Sequence, residues 1–166
     1  MGFVDESSQN INTNTQRLWS FEELNIRKKT AHLRANCIGC FMLNGHDNIE
    51  FPSQTKSDDF CHFLMEVRRC NPINRICLVL DNFATHKAKK VKDKASELNI
   101  KLIYLPPYSP DLNPIKYLWK SIKRIISISS IESKDELLEI VRNSFFSMTA
   151  SLFQHECGSL GSCTIS

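Results

Sequence analysis

The sequence predicts an α/β fold, a mixed sheet flanked by helices in three layers. Three observations carry the prediction. Ile76 to Leu80 is a continuous apolar run, short enough for a strand and covered on both faces, as a central strand of a helix-flanked sheet is. Segments with apolar residues at helical spacing lie on either side of it. Strand-like segments come first along the chain, and strands then alternate with helices.

The elements follow in order. Phe3-Val4 is a short apolar opening that stops at Asp5. Arg17 to Phe21 and Ala35 to Leu43 read as strands, the second closed by the turn signal Asn44-Gly45. Ser57 is placed to cap a helix whose positions Phe60, Phe63, Leu64 and Val67 keep the helical period. Thr85 opens another helix with Ala88, Val91, Ala95 and Leu98 on its buried stripe, and Leu102 to Leu105 is the next strand, stopped by Pro106-Pro107. Asn113 reads as an N-cap with Pro114 at the first helical position. Ile115, Leu118, Trp119, Ile122 and Ile126 form the apolar stripe of that helix, so Trp119 is expected in the core. Ser133 and Glu136 make a capping box for a last helix through about Phe146. No strong period follows Ala150. Residues 1–150 are therefore expected to form one domain and 151–166 a tail.

Composition agrees. Of 166 residues, 42% are hydrophobic and 23% charged, which is globular composition and leaves enough apolar surface for a core without metal or disulfide staples. The central apolar run is too short to span a bilayer, and Met1 to Glu6 carry two acids and no apolar leader core. A cytoplasmic protein is the expectation, with no membrane partner. The 7 cysteines are odd in number and scattered, so they read as reduced core thiols. Cys37 and Cys40 form a C-x-x-C, but no second ligand pair follows at zinc-finger spacing.

Net charge is only +3, yet it is unevenly spread. Lys87, Lys89, Lys90, Lys92 and Lys94 crowd one segment, and Lys116, Lys120, Lys123 and Arg124 another. Two basic segments on a nearly neutral chain suit a polyanion such as nucleic acid, although on charge alone a solvated helix face is the simpler reading. The acids are more pointed. Asp5 closes the first apolar run and Asp81 the central one. A carboxylate at the carboxyl end of a central strand is held rigidly over the crevice where α/β proteins bind ligands. Two on neighbouring strands can hold divalent cations, which clamp the attacking and leaving oxygens of a phosphodiester. A turn or cap role is the simpler alternative for Asp81, and a surface acid for Asp5.

Two strings carry a resemblance. Leu78-Val79-Leu80-Asp81-Asn82-Phe83-Ala84-Thr85-His86 is the first, and Leu105-Pro106-Pro107-Tyr108-Ser109-Pro110-Asp111-Leu112-Asn113-Pro114-Ile115 the second, with Trp119 and Lys123-Arg124 after it. Together with Phe3-Val4-Asp5-Glu6-Ser7 and Arg17-Leu18-Trp19, they strongly resemble the DDE catalytic domain of mariner-type transposases, nearest the bacterial and archaeal insertion-sequence branch. The likeness covers roughly residues 3 to 128. It implies a ribonuclease-H-like fold, DNA as partner, DNA strand cleavage and strand transfer in transposition, and three acids holding two Mg2+ (or Mn2+) ions. Matched by position, Asp5 and Asp81 are the first two acids and metal ligands. The third falls at Lys116.

The departure is visible without the family. With Asn113 as N-cap, Lys116 is the third helical residue, where a capping box and the helix dipole favour an acid. An ammonium there repels a cation, so metal binding is expected to be weak and cleavage impaired. Asp111 lies in the preceding loop with a turn-forming role, so it is not expected to stand in. Lys87, Lys120, Lys123 and Arg124 are the expected DNA contacts, and His86 is placed either over the scissile phosphate or as a cap or surface residue. The resemblance also implies helical DNA-binding modules before the first strand. The chain starts almost inside that strand, so it reads as truncated. The alternative function is a non-catalytic DNA-binding or regulatory fragment, partnered by a second copy or a full-length transposase. A ribonuclease-H-like nuclease acting on structured nucleic acid is a weaker third reading. Asp5 and Asp81 are expected on adjacent strands, with Lys116 beside them.

Overall fold

A computed structural model describes residues 1–11, 32–73, 75–107 and 109–157. The strand expected over Arg17 to Phe21 lies outside them. The described elements are β1 (Gly2–Asn10), β2 (Arg34–Met42), β3 (Asn48–Glu50), α1 (Ser57–Cys70), β4 (Ile76–Leu80), α2 (Ala84–Lys87), α3 (Lys89–Glu97), β5 (Ile100–Tyr104), α4 (Ile115–Ile128) and α5 (Lys134–Cys157). The sheet is mixed, in the order β3-β2-β1-β4-β5. β1–β2 and β2–β3 pair antiparallel, β1–β4 and β4–β5 parallel.

Each face of the sheet carries its own core, because successive side chains of a strand point to opposite faces. On one face Ile38, Cys40, Leu78 and Leu80 meet Phe60, Phe63 and Leu64 of α1 and Val91 of α3. On the other Ala35, Cys37 and Phe41 meet Ile115, Trp119 and Ile122 of α4 and Leu137, Val141 and Phe145 of α5. The three layers expected from the sequence are present. Among the described residues no helix is long and apolar enough to cross a membrane. Cys37 and Cys40 fall in different cores, so the C-x-x-C cannot close on one metal ion. Burial pushes the Cys37 thiol up to about 12 and raises Cys40 further still.

Several boundaries differ from the expectation. β1 does not stop at Asp5 but runs to Asn10, in register with β2 from Gly2↔Met42 to Asn10↔Arg34. Backbone pairing carries the strand through a polar stretch that side-chain polarity alone would end, and the Arg34 Nε–H donates to Ser8 Oγ at 2.7 Å. Ser57 is not a cap. It is the first residue of α1, and the Asp59 carboxylate accepts from the Lys56 N–H at 3.0 Å one residue earlier. The helix expected from Thr85 is broken at Ala88, whose backbone is extended, into α2 and α3. The Ser133–Glu136 capping box forms, with the Glu136 N–H donating to Ser133 Oγ at 3.1 Å. The helix it opens runs past Phe146 and past Ala150, so the expected domain boundary falls inside α5.

The second core closes on Gly39 of β2. A Cβ there would sit 2.7 Å from Trp119 Cζ2 and 3.0 Å from Phe145 Cε2, two rings stacked 5.6 Å apart. The indole approaches the strand this closely because that position has no side chain. Gly39→Ala should lower stability by about 1–3 kcal/mol, the usual cost of overpacking a filled core, measured as a drop in urea midpoint with unchanged m-value.

Candidate active site

The site sits where β1 and β4 run side by side, and five side chains converge on it. Parallel pairing sets Gly2 against Leu78 and Phe3 against Val79, so Asp5 continues along β1 as Asp81 leaves the end of β4. Asp5 is buried, 6% exposed, and lies within electrostatic reach of Asp81.

Lys116 comes from the first turn of α4. Its Nζ donates to Asp5 Oδ1 at 3.0 Å, and its side chain is 34% exposed. The loop before α4 is tied to β1 by Asn113, whose Nδ2 donates to the Val4 carbonyl at 3.1 Å. The expected side-chain cap by Asn113 is therefore absent. Its backbone carbonyl accepts from the Lys116 N–H at 3.1 Å, while its side chain is spent on the neighbouring strand. That exchange fixes the helix start next to Asp5. Burial pushes the Asp5 carboxyl above its ordinary range, the Lys116 ammonium pulls it part of the way back, and the Asp81 charge raises it again.

His86 is neither a cap nor a surface residue. Its side chain is 2% exposed and packed on the Phe60 ring at 4.4 Å. Nδ1 lies 3.0 Å from Asp81 Oδ1 and Nε2 lies 3.3 Å from Glu6 Oε1. Both partners are acceptors when ionised, so both bonds form only with the doubly protonated ring. Burial alone would lower the His86 pKa. The hydrogen bonds to Asp81 and Glu6 outweigh it and lift it to about 9. The same bond is the main cause that holds Asp81 below its ordinary value, and the Phe83 N–H, 3.1 Å from Asp81 Oδ1, helps. Tyr104 holds the other end of the residue, its hydroxyl donating to the His86 carbonyl at 2.8 Å.

Glu6 was not among the residues the sequence singled out. It follows Asp5, and alternation along β1 sends the two carboxylates to opposite faces, Asp5 toward α4 and Glu6 toward α2. The only sequence signal is an acid beside an acid. Its partner lies 80 residues away. The expected DNA contacts are not brought together. Exposed Lys87 ends α2 on one side of the sheet, while exposed Lys120 and Arg124 and half-buried Lys123 lie along α4 on the other.

A cavity of about 390 Å³ opens over Asp81 and Lys116. Among the described residues, no group of three or more His, Cys, Asp or Glu side chains is disposed to hold a metal ion.

A family model described as DDE superfamily endonuclease matches residues 1–138. The chain belongs to that family. Solved structures agree on the fold. The mariner Mos1 paired end complex with Mg has a TM-score of 0.70 at 19% identity, over 88% of this chain and 48% of that one. The Mos1 transposase paired-end complex with left transposon end has a TM-score of 0.65 at 17% identity, over 92% and 51%. The Mos1 transposase catalytic domain with Raltegravir and Mg has a TM-score of 0.64 at 15% identity, over 99% and 85%. The chain thus spans about half the length of the transposase chains in the paired-end complexes and most of the isolated catalytic domain. A search of curated protein sequences found no match. The fold is that of mariner-type DDE transposase catalytic domains, with a ribonuclease-H-like mixed sheet.

Two outcomes follow from this geometry. Stability should fall as pH rises from about 6.5 toward 10. His86 has its pKa raised from 6.5 to about 9, so its contribution is complete below the lower value and lost through the upper one. The expected loss is on the order of 3 kcal/mol, read from urea midpoints across that range, and His86→Gln should flatten the dependence. Lys116→Met should cost about 1–3 kcal/mol at pH 7, the usual worth of a hydrogen bond to a charged group, because Asp5 stays buried without its cation.

Proposed function

We propose that this chain is a transposase catalytic domain by descent, of the insertion-sequence branch, that binds DNA and is impaired in strand cleavage and strand transfer. The observation that carries the reading is the 3.0 Å contact between Lys116 Nζ and Asp5 Oδ1. By the resemblance of the string ending Asn113-Pro114-Ile115, this reading takes Lys116 as the position of the third acid and Asp5, which its ammonium touches, as the first.

The residues present do not fit a two-cation site. Asp5 already has a cation at hydrogen-bond distance, and Asp81 is engaged by His86. Three carboxylates would give the site three negative charges, whereas Asp5, Asp81 and Lys116 sum to minus one. Exchanging one sign at about 4 Å shifts the interaction with a cation by several kcal/mol even at an effective dielectric of 20. Mg2+ or Mn2+ is therefore bound weakly, and no cleavage step is assigned to it.

DNA binding in this reading rests on phosphate contacts by Lys87, Lys120, Lys123 and Arg124, which give affinity without sequence reading. The fold neighbours support a DNA partner, since one of them is a complex with a transposon end.

The test compares the natural chain with Lys116→Glu. Calorimetric titration with Mg2+ or Mn2+ should show binding strengthened at least tenfold in the variant, and a supercoiled-plasmid assay should show nicking by the variant well above that of the natural chain. Equal metal binding and equal nicking by both forms would overturn the reading of an impaired site.

A further inference from the structure

At the end of the sheet away from Asp81, where the parallel strands β4 and β5 begin, lies a cavity of about 870 Å³ that takes no part in the site described above. Its rim carries Arg68, Ile73, Arg75, Cys77, Glu97 and Lys101. Glu97 is answered by Lys94 at 2.7 Å. Arg68 ties helix ends together, donating to the Leu98 and Asn99 carbonyls at 2.8 and 2.9 Å. Arg75 and Lys101 are exposed, and among the described residues neither is paired with an acid. The unanswered charge of this cavity is therefore positive.

The cavity runs onto an open part of the sheet. β5 is last in the strand order, so among the described residues one of its edges has no neighbour. The Leu105 N–H donates to the Leu80 carbonyl at 2.9 Å, and alternation therefore turns the N–H and C=O of Leu102 and Tyr104 to that edge. One face of β5 is open as well. Ile100, Leu102 and Tyr104 turn to the core under α1 and α3, so Lys101 and Ile103 turn to the other face, where α4 and α5 lie over β1 and β2. Ile103 is left 40% exposed, and Cys77, paired in register with Lys101, is half-buried. The edge is preset, because Arg68 of α1 holds Leu98 and Asn99, the two residues before β5.

An open edge with an apolar side chain on it invites a strand from another chain. A second copy is a poor occupant, because pairing two β5 edges brings the cations of both copies together. A nucleic acid is a poor one too. The cavity lining holds no aromatic ring for a base to stack on, and phosphates make no use of Ile73 or Ile103. We propose that β5 is a docking edge for an extended acidic segment of a partner protein. The segment adds a strand to the sheet through Leu102 and Tyr104, with an acid beside Lys101 and an aliphatic residue two positions along beside Ile103. Main-chain bonds then give affinity and the two side-chain contacts give specificity. This goes beyond the DNA reading and does not depend on it.

The probe is a fluorescein-labelled synthetic peptide in which every second residue is threonine and the positions between alternate glutamate and valine. A companion peptide carries lysine in place of glutamate. By fluorescence anisotropy the natural chain should bind the glutamate peptide at least about 5-fold more tightly than the lysine peptide, the scale of a cross-strand charge pair turned from opposite to like. Lys101→Glu should invert that preference, a gain that a misfolded variant cannot show. Lys89→Glu, the same charge change on the exposed surface of α3, should leave it as it is. On adding the glutamate peptide, hydrogen exchange followed by NMR should slow at the Leu102 and Tyr104 amides. Binding of neither peptide, equal binding of both, or unchanged exchange at these two amides would overturn the proposal. So would a loss of duplex DNA binding by Lys101→Glu as large as its loss of the glutamate peptide, which would make this rim a phosphate contact.

Discussion

Everything at this site hangs on β1. It lies in the middle of the sheet, antiparallel to β2 and parallel to β4, and each remaining part of the site is fastened to it. Asn113 holds the start of α4 on the Val4 carbonyl, Lys116 meets Asp5, and Glu6 meets His86 at the start of α2. Three consecutive residues of one strand thus anchor both helical layers. A strand can do this because its side chains and carbonyls alternate in direction while its backbone remains paired.

Alternation also settles the electrostatics. Asp5 and Glu6 are neighbours in the chain, yet each faces a different layer and a different cation. Asp5 is answered by an ammonium from α4, and Glu6 shares an imidazolium from α2 with Asp81. Burying a carboxylate is costly unless it is paired and hydrogen-bonded. In this chain the pairing comes from within the protein on both sides of the sheet, Lys116 for Asp5 and His86 for Glu6 and Asp81.

The parts of this arrangement that local pattern controls were readable in the sequence. Ile76 to Leu80 is the strand its apolar run suggested, and the stripe from Ile115 to Ile126 is buried as its spacing implied. The Ser133–Glu136 box, closed within one turn, also formed. What escaped reading depends on partners far away in the chain. The polar half of β1 is a strand because β2 lies beside it, and nothing local says so. Asn113 has the chemistry of a cap but a stronger use on Val4, 109 residues away. His86 and Glu6, 80 residues apart, define each other, so neither could be placed without the fold. Asp5, Asp81 and Lys116 were singled out together through the family strings. Their spacing along the chain would not by itself have separated a site from three ordinary surface charges.

The two-sided sheet has a practical corollary. Cys37 is sealed under α4 and α5 and Cys40 under α1 and α3, while Cys61, on α1 itself, faces the Lys90 carbonyl of α3; all three are free thiols whose burial raises their pKa. A thiol reagent reaches such a group only when its own layer lifts away. The chain therefore carries an internal pair of gauges. With the other five cysteines replaced, the labelling rates of Cys37 and of Cys40 would time the opening of the two helical layers separately, and would reveal whether the sheet releases them as one cooperative unit or one at a time.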